Sequence, residues 1–146
     1  MLITRETDYA LRILRALFDG EKMSVAQISE QESIPSQFAY KILKKLSRAG
    51  MVEILRGVNG GYRMSPESDQ STILDVIRVV EGEPLLLDCL EPDAQFAACR
   101  RVTDCRLQRE FSRVQQILLK ELAAKPLREL IGPSSRRDSF FSSIFD

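Results

Sequence analysis

Ile34-Pro35-Ser36-Gln37-Phe38-Ala39-Tyr40-Lys41-Ile42-Leu43-Lys44-Lys45-Leu46-Ser47-Arg48-Ala49-Gly50 runs directly into Met51-Val52-Glu53-Ile54-Leu55-Arg56-Gly57-Val58-Asn59-Gly60-Gly61-Tyr62. Proline is tolerated at the start of a helix and not in its interior, so Pro35 marks a beginning. From Ser36 to about Ala49 the apolar residues Phe38, Ala39, Ile42, Leu43 and Leu46 recur at helical spacing, and Gly50 supplies a stop. The opposite face carries Gln37, Tyr40, Lys41, Lys44 and Lys45. Two short β-forming runs then flank Gly57-Val58-Asn59-Gly60-Gly61, which reads as a hairpin.

Upstream, Thr4 is positioned to cap a helix with Ala10, Ile13, Leu14, Leu17 and Phe18 inward, ending at Asp19-Gly20. A shorter helix starts at Ser24 with Val25, Ala26 and Ile28 inward. Two short helices joined by a tight turn, the second basic on its outer face, describe a helix-turn-helix whose second helix suits a major groove, and the hairpin behind it is a wing. Between Ser36 and Arg63 stand six cations, Lys41, Lys44, Lys45, Arg48, Arg56 and Arg63, against the single anion Glu53. Lysines on a surface helix are ordinary, but cations grouped on a helix-turn-helix and its wing form an electrostatic footprint for double-stranded DNA. Ser36, Gln37, Tyr40 and Lys41 are best placed for base edges, and Lys44, Lys45 and Arg48 for phosphates. Arg56 and Arg63 flank the wing turn and suit phosphates or a narrow minor groove.

Downstream, Asp69 or Ser71 starts a helix with Ile73, Leu74, Val76, Ile77 and Val80 inward, ending at Glu81-Gly82. A loop-like segment follows and holds all three cysteines, Cys89, Cys99 and Cys105. From Arg106 to about Lys125, Leu107, Phe111, Val114, Leu118 and Leu122 recur at steps of four, three, four and four, close to the repeat of a helix-helix seam. So little other chain remains to cover this rod that pairing with a second copy is expected; a twofold dimer would set two recognition helices about 34 Å apart. The fold class is mainly α: a winged helix-turn-helix with a β-hairpin wing over residues 1–82, a cysteine loop over 83–105, a dimerisation helix region over 106–131, and a tail over 132–146.

Lys and Arg total 21 and so do Asp and Glu, but residues 1–65 carry a net +3 and residues 66–146 a net −3. No apolar run approaches the roughly 20 residues of a membrane span and no signal peptide is visible, so a cytoplasmic protein is expected. Three cysteines in such a compartment favour a metal or redox role over a disulfide framework. Cysteine is often only a small buried hydrophobe, yet these three sit beside Asp, Glu, Pro and Arg, and Arg100, Arg101 and Arg106 favour thiolates. The chain has no histidine, which removes the mixed Cys/His zinc sites within one subunit. Lacking histidine and a phosphate-cradling glycine loop, it shows no hydrolase or transferase constellation and is expected not to be an enzyme.

Leu2-Ile3-Thr4 with Asp8-Tyr9-Ala10, the turn Ile34-Pro35-Ser36, Leu46-Ser47-Arg48-Ala49-Gly50-Met51-Val52 and above all Arg56-Gly57-Val58-Asn59-Gly60-Gly61-Tyr62 resemble the Rrf2 family of bacterial winged-helix regulators over roughly residues 1–131. The resemblance implies a homodimeric repressor or activator. In the branch with three cysteines between the DNA module and the dimer helix it implies an iron-sulfur cluster, [2Fe-2S] or [4Fe-4S], that sets DNA affinity according to iron status, redox state or nitric oxide. The family's ligand thiols fall on Cys89, Cys99 and Cys105. The first gap between them, nine residues, is longer than in IscR-type members, whereas the second, five, agrees. Where IscR-type members place a histidine ligand this chain has Gln108. In NsrR-like members an aspartate from the partner subunit's first helix completes the set, and Asp8 stands at that position; an acidic residue in a first turn is also stabilised by the helix dipole with no further role. Two other readings stay open: a family regulator without a cluster, controlled by a small metabolite or a partner protein, and a small redox or electron-transfer protein. Zinc and a thiol switch remain alternatives for the cysteines.

Overall fold

Thr4 begins the first helix as expected: its hydroxyl accepts from the Glu6 amide, and α1 runs Arg5–Ala16. In this computed structural model, residues 3–91 and 105–132 are described. Ser24 opens α2 (Val25–Glu32) with a capping box to Gln27, and α3 (Ser36–Arg48) follows a turn in which Ser33 adopts the left-handed conformation. The buried face of α1 (Ala10, Ile13, Leu14, Leu17) meets Ile28 of α2 and Ala39, Ile42, Leu43 and Leu46 of α3 in one core. Burying a Leu or Ile side chain contributes about 1.5–3 kcal/mol, so this cluster is the main cohesive term. Glu32, nearly buried, is held by Arg15 at 2.5 Å and ties α2 to α1.

Two residues differ from the sequence reading. Ala26 lies exposed, whereas Ile28 is buried in the core and Val25 packs against its edge. Phe38 is 44% exposed: it sits at the edge of the apolar face of α3 and meets Tyr9 of α1 edge-on, ring centroids 6.1 Å apart.

The wing is the antiparallel pair β1 (Val52–Leu55) and β2 (Gly61–Met64), in register Val52↔Met64 and Leu55↔Gly61. Its glycines are required by close approach. A Cβ on Gly60 would lie 2.2 Å from the Leu55 carbonyl oxygen, and one on Gly61 would lie 2.8 Å from the Met23 carbonyl oxygen. That second approach is productive, since Met23 and Tyr62 exchange backbone hydrogen bonds of 2.9 and 2.8 Å and fasten the wing to the entry of α2.

After β2, Pro66–Gln70 forms a 3-10 turn, which displaces the start of the next helix from the expected Asp69 or Ser71 to Thr72, the capping-box residue of α4 (Ile73–Glu81). The chain then passes Pro84 to a short 3-10 turn at Asp88–Leu90. Helix α5 (Arg106–Leu122), about 25 Å long, buries none of its residues. Pro126 and Leu127 return to the start of α4: the Leu127 amide donates to the Ser71 carbonyl at 2.7 Å, and Leu127 of α6 (Leu127–Ile131) is fully buried. Among the described residues no helix is long and apolar enough to cross a membrane.

Candidate DNA-reading face and cysteine cleft

The outward side of α3 exposes Ser36, Gln37, Tyr40, Lys41, Lys44 and Arg48 along its whole length. The Tyr62 phenol of β2 is pushed up, by burial first and by the charge of Tyr40 on α3 second. Helix α3 also packs against β1 of the wing. At the wing tip Val58 is wholly exposed, and the Lys22 ammonium donates to the Asn59 carbonyl.

The six cations of this surface divide into two sets. Among the described residues Lys44, Arg48 and Arg56 are exposed and carry no ion pair. Lys41, Lys45 and Arg63 are all engaged within the chain. Lys41 and Lys45 both reach Glu6 of α1, at 2.5 and 2.8 Å, and Lys45 also donates to the Val80 carbonyl at 2.6 Å. Arg63 lies along its cross-strand partner Glu53, with Nη2 at 2.5 Å and Nε at 3.1 Å. The Glu6 carboxyl is held below its ordinary value by the hydrogen bond from Lys41 first and that from Lys45 second, against the opposing effect of burial.

A second carboxylate, Glu81 at the end of α4, closes the other side of α1. It accepts from the Thr4 amide at 3.1 Å, the Thr4 hydroxyl at 2.6 Å and the Thr7 hydroxyl. Burial raises its carboxyl, but these hydrogen bonds outweigh that and leave it lowered. The last turn of α4, from which the chain leaves toward the cysteines, is thus fastened to the first turn of α1 and, through Val80 and Lys45, to α3.

Cys89 and Cys105 are both free and half-buried. Cys105 is the N-cap of α5, its sulfur accepting from the Gln108 amide at 3.4 Å. The Gln108 side chain donates to the Cys89 carbonyl at 2.9 Å, and one face further along the helix the Gln115 side chain accepts from the Leu86 amide at 2.9 Å. Residues 86 and 89 therefore run beside α5 in the opposite direction to it. Cys89, Leu90, Glu91, Gln108, Arg109 and Ser112 line a cleft of about 370 Å³. Cys99 lies outside the described residues, and among those described no three Cys, Asp or Glu side chains converge as a metal-binding group. Asp8, in the first turn of α1, is half-exposed and paired with Arg12 at 2.8 Å; Arg12 also lies 5.5 Å from the centre of the Tyr9 ring.

The seam residues of α5 are unevenly covered. Leu107, Phe111 and Val114 are exposed, with Ile117 exposed beside them, whereas Leu118 and Leu122 are half-buried. The sequence reading missed Glu6, Glu81, Gln108 as a backbone donor, and Gln115. Only the seven-residue spacing of the two glutamines, which puts them on one face of α5, was available as a signal.

Residues 3–133 match the family model described as Rrf2, iron-dependent transcriptional regulator. The chain belongs to the Rrf2 family. It is 32% identical over 133 residues to protein aau3 of Rhizobium meliloti (strain 1021), covering 90% of this chain and 85% of that protein. Its fold is similar to that of CymR, the global cysteine regulator of B. subtilis (TM-score 0.68, 25% identity, 88% of this chain and 95% of that one). It is also similar to IscR of T. potens (TM-score 0.69, 17% identity, 96% and 95%), a likeness of fold alone. Rrf2 proteins are DNA-binding transcription regulators and not enzymes, so the winged helix-turn-helix read from residues 34–62 has its place in the family fold.

Proposed function

We propose that this Rrf2 protein is a homodimeric regulator whose affinity for an operator is set by an iron-sulfur cluster. The observation that carries the reading is the position of Cys89 and Cys105. Both thiols are unbridged and half-buried, and Gln108 joins the Cys105 sulfur to the Cys89 backbone carbonyl, on the segment that joins the end of α4 to α5. Soft thiolates suit iron-sulfur clusters, and the two described thiols leave room in the ligand set for Cys99. Asp8 of the partner subunit would complete the ligand set in place of its pairing with Arg12. Gln108, at the IscR histidine position, instead fixes the Cys89 backbone.

When bound, the cluster supplies a centre that responds to iron supply, oxidation or nitric oxide. The residues of the chain transmit its presence. Ordering Cys89 holds the segment that leaves Glu81, and Glu81 holds the first turn of α1. On the DNA side, Gln37 and Tyr40 face base edges with Ser36 and Lys41 beside them, and Lys44, Arg48 and Arg56 face phosphates. Lys45 and Arg63 reach phosphates once released from Glu6 and Glu53. The exposed stripe Leu107, Phe111, Val114, continued by Leu118 and Leu122, forms the dimer seam.

Protein purified without oxygen should be coloured and contain iron, and Cys99→Ala and Cys105→Ala should lose both properties. A colourless, iron-free wild type would remove the cofactor from the proposal. A second reading is favoured by the fold shared with CymR at 25% identity: a regulator governed by a small metabolite or a partner protein. A triple cysteine variant with an unchanged DNA response selects that reading.

A further inference from the structure

Glu6 places one carboxylate between two lysines of the DNA-reading helix. Its Oε1 is 2.5 Å from the Lys41 ammonium and its Oε2 is 2.8 Å from that of Lys45. The Glu6 side chain is only 25% exposed, so it is supported by its surroundings and not swinging in solvent. Lys45 is further held by the Val80 carbonyl at 2.6 Å. Lys41 is different: its side chain is 57% exposed, and Glu6 is the anion that occupies it. Without Glu6, α3 would offer phosphates four cations, Lys41, Lys44, Lys45 and Arg48; with it, Lys44 and Arg48 are the two that no anion of the chain engages among the described residues.

We infer that Glu6 sets the strength of sequence-independent DNA binding by neutralising Lys41 and Lys45 on the recognition helix. The inference rests on α3 being the DNA-facing helix. Binding to unrelated sequence comes essentially from lysines and arginines that displace counterions from phosphates. Each such contact adds about 0.9 to the slope of log affinity against log salt. A regulator with two more free lysines would be held more tightly by the excess of non-operator DNA. Glu6 acts as a counter-anion that keeps this term small while leaving Gln37 and Tyr40 untouched.

The test uses the full-length protein and a fluorescein-labelled duplex of mixed sequence, with affinity measured across a salt series. Glu6→Gln should bind about two- to fivefold tighter, the range expected for one exposed ion pair, with a slope steeper by up to about 0.9 for each lysine that reaches a phosphate. Adding Lys41→Ala to Glu6→Gln should remove most of the gain. In the wild-type background Lys41→Ala should lower the slope by clearly less than Lys44→Ala, which should lower it by about 0.9. Should Glu6→Gln fail to fold, the Lys41→Ala and Lys44→Ala pair decides alone, and equal losses overturn the inference. An unchanged or weaker Glu6→Gln beside a weakened Lys44→Ala also overturns it while leaving the DNA face in place. If Lys44→Ala too is without effect, the assignment of α3 to DNA falls first.

Discussion

The two halves of this chain satisfy their apolar surface in opposite ways. Residues 3–82 close on one core, which Leu127 of α6 completes: α1, α2, α3, α4 and the wing share it, and Glu32, Glu81 and Glu6 each join elements distant in sequence. Helix α5 has an apolar stripe of similar regularity but no buried residue, and an ion pair on it, Glu110 with Arg113, spans a single turn. One pattern of leucines and isoleucines makes a core where other elements arrive to cover it, and among the described residues is left largely open on α5. The half that reads DNA is complete in one chain. The half that holds the cysteines calls for something from outside it, a second copy and a cluster in our proposal.

Truncating the core should give the largest effect. Leu43→Ala removes a fully buried side chain between α1 and α3, and should cost about 2–5 kcal/mol in denaturant unfolding at every protein concentration. The matching change on α5, Phe111→Ser, should alter the stability of the single subunit by less than about 0.5 kcal/mol. It should instead weaken dimerisation by about 2 kcal/mol, roughly 30-fold in dissociation constant, read by sedimentation on dilution. Concentration-independent destabilisation by Phe111→Ser would break the contrast. Smaller again is Glu81→Ala, which strips three hydrogen bonds from the first turn of α1 and should cost about 1–2 kcal/mol.

The smallest effect is that of acid. The carboxyls of Glu6 and Glu81 are lowered in the folded protein relative to the ordinary 4.5. Their contribution is therefore fully present above that value and is lost as pH falls below it toward the folded values. Stability measured from pH 6 downward should start to decline near pH 4.5, and Glu81→Gln should flatten part of that decline. Glu110, also lowered by Arg113, is wholly exposed on α5 and its substitution should leave the curve nearly unchanged.

What could be read from the sequence was local or periodic. Thr4 and Ser24 announced their caps, Gly60 and Gly61 announced the wing because only glycine fits against the Leu55 and Met23 carbonyls, and the stripe of α5 was visible from Leu107 to Leu122. The pairing of Glu6 with Lys41 and Lys45, and of Glu81 with Thr4 and Thr7, was not legible, since each joins residues 35 or more positions apart. Phe38 fits the helical spacing of a core residue, but the edge of that face meets Tyr9 instead. The start of α4 moved to Thr72 because the 3-10 turn consumed Asp69. At the cysteine site the residue types were evident, whereas the role of Gln108 as holder of the Cys89 backbone required the geometry.

In the proposed function the cysteine segment governs what the DNA module does. This control is tested most directly by measuring, without oxygen, the affinity of the protein for an operator selected from random duplexes, before and after iron is removed, beside the variant lacking all three cysteines. The account predicts a change of about 5- to 150-fold in the wild type, the usual span of a coupling of 1–3 kcal/mol, and none in the variant. Equal wild-type affinity with and without iron would contradict it.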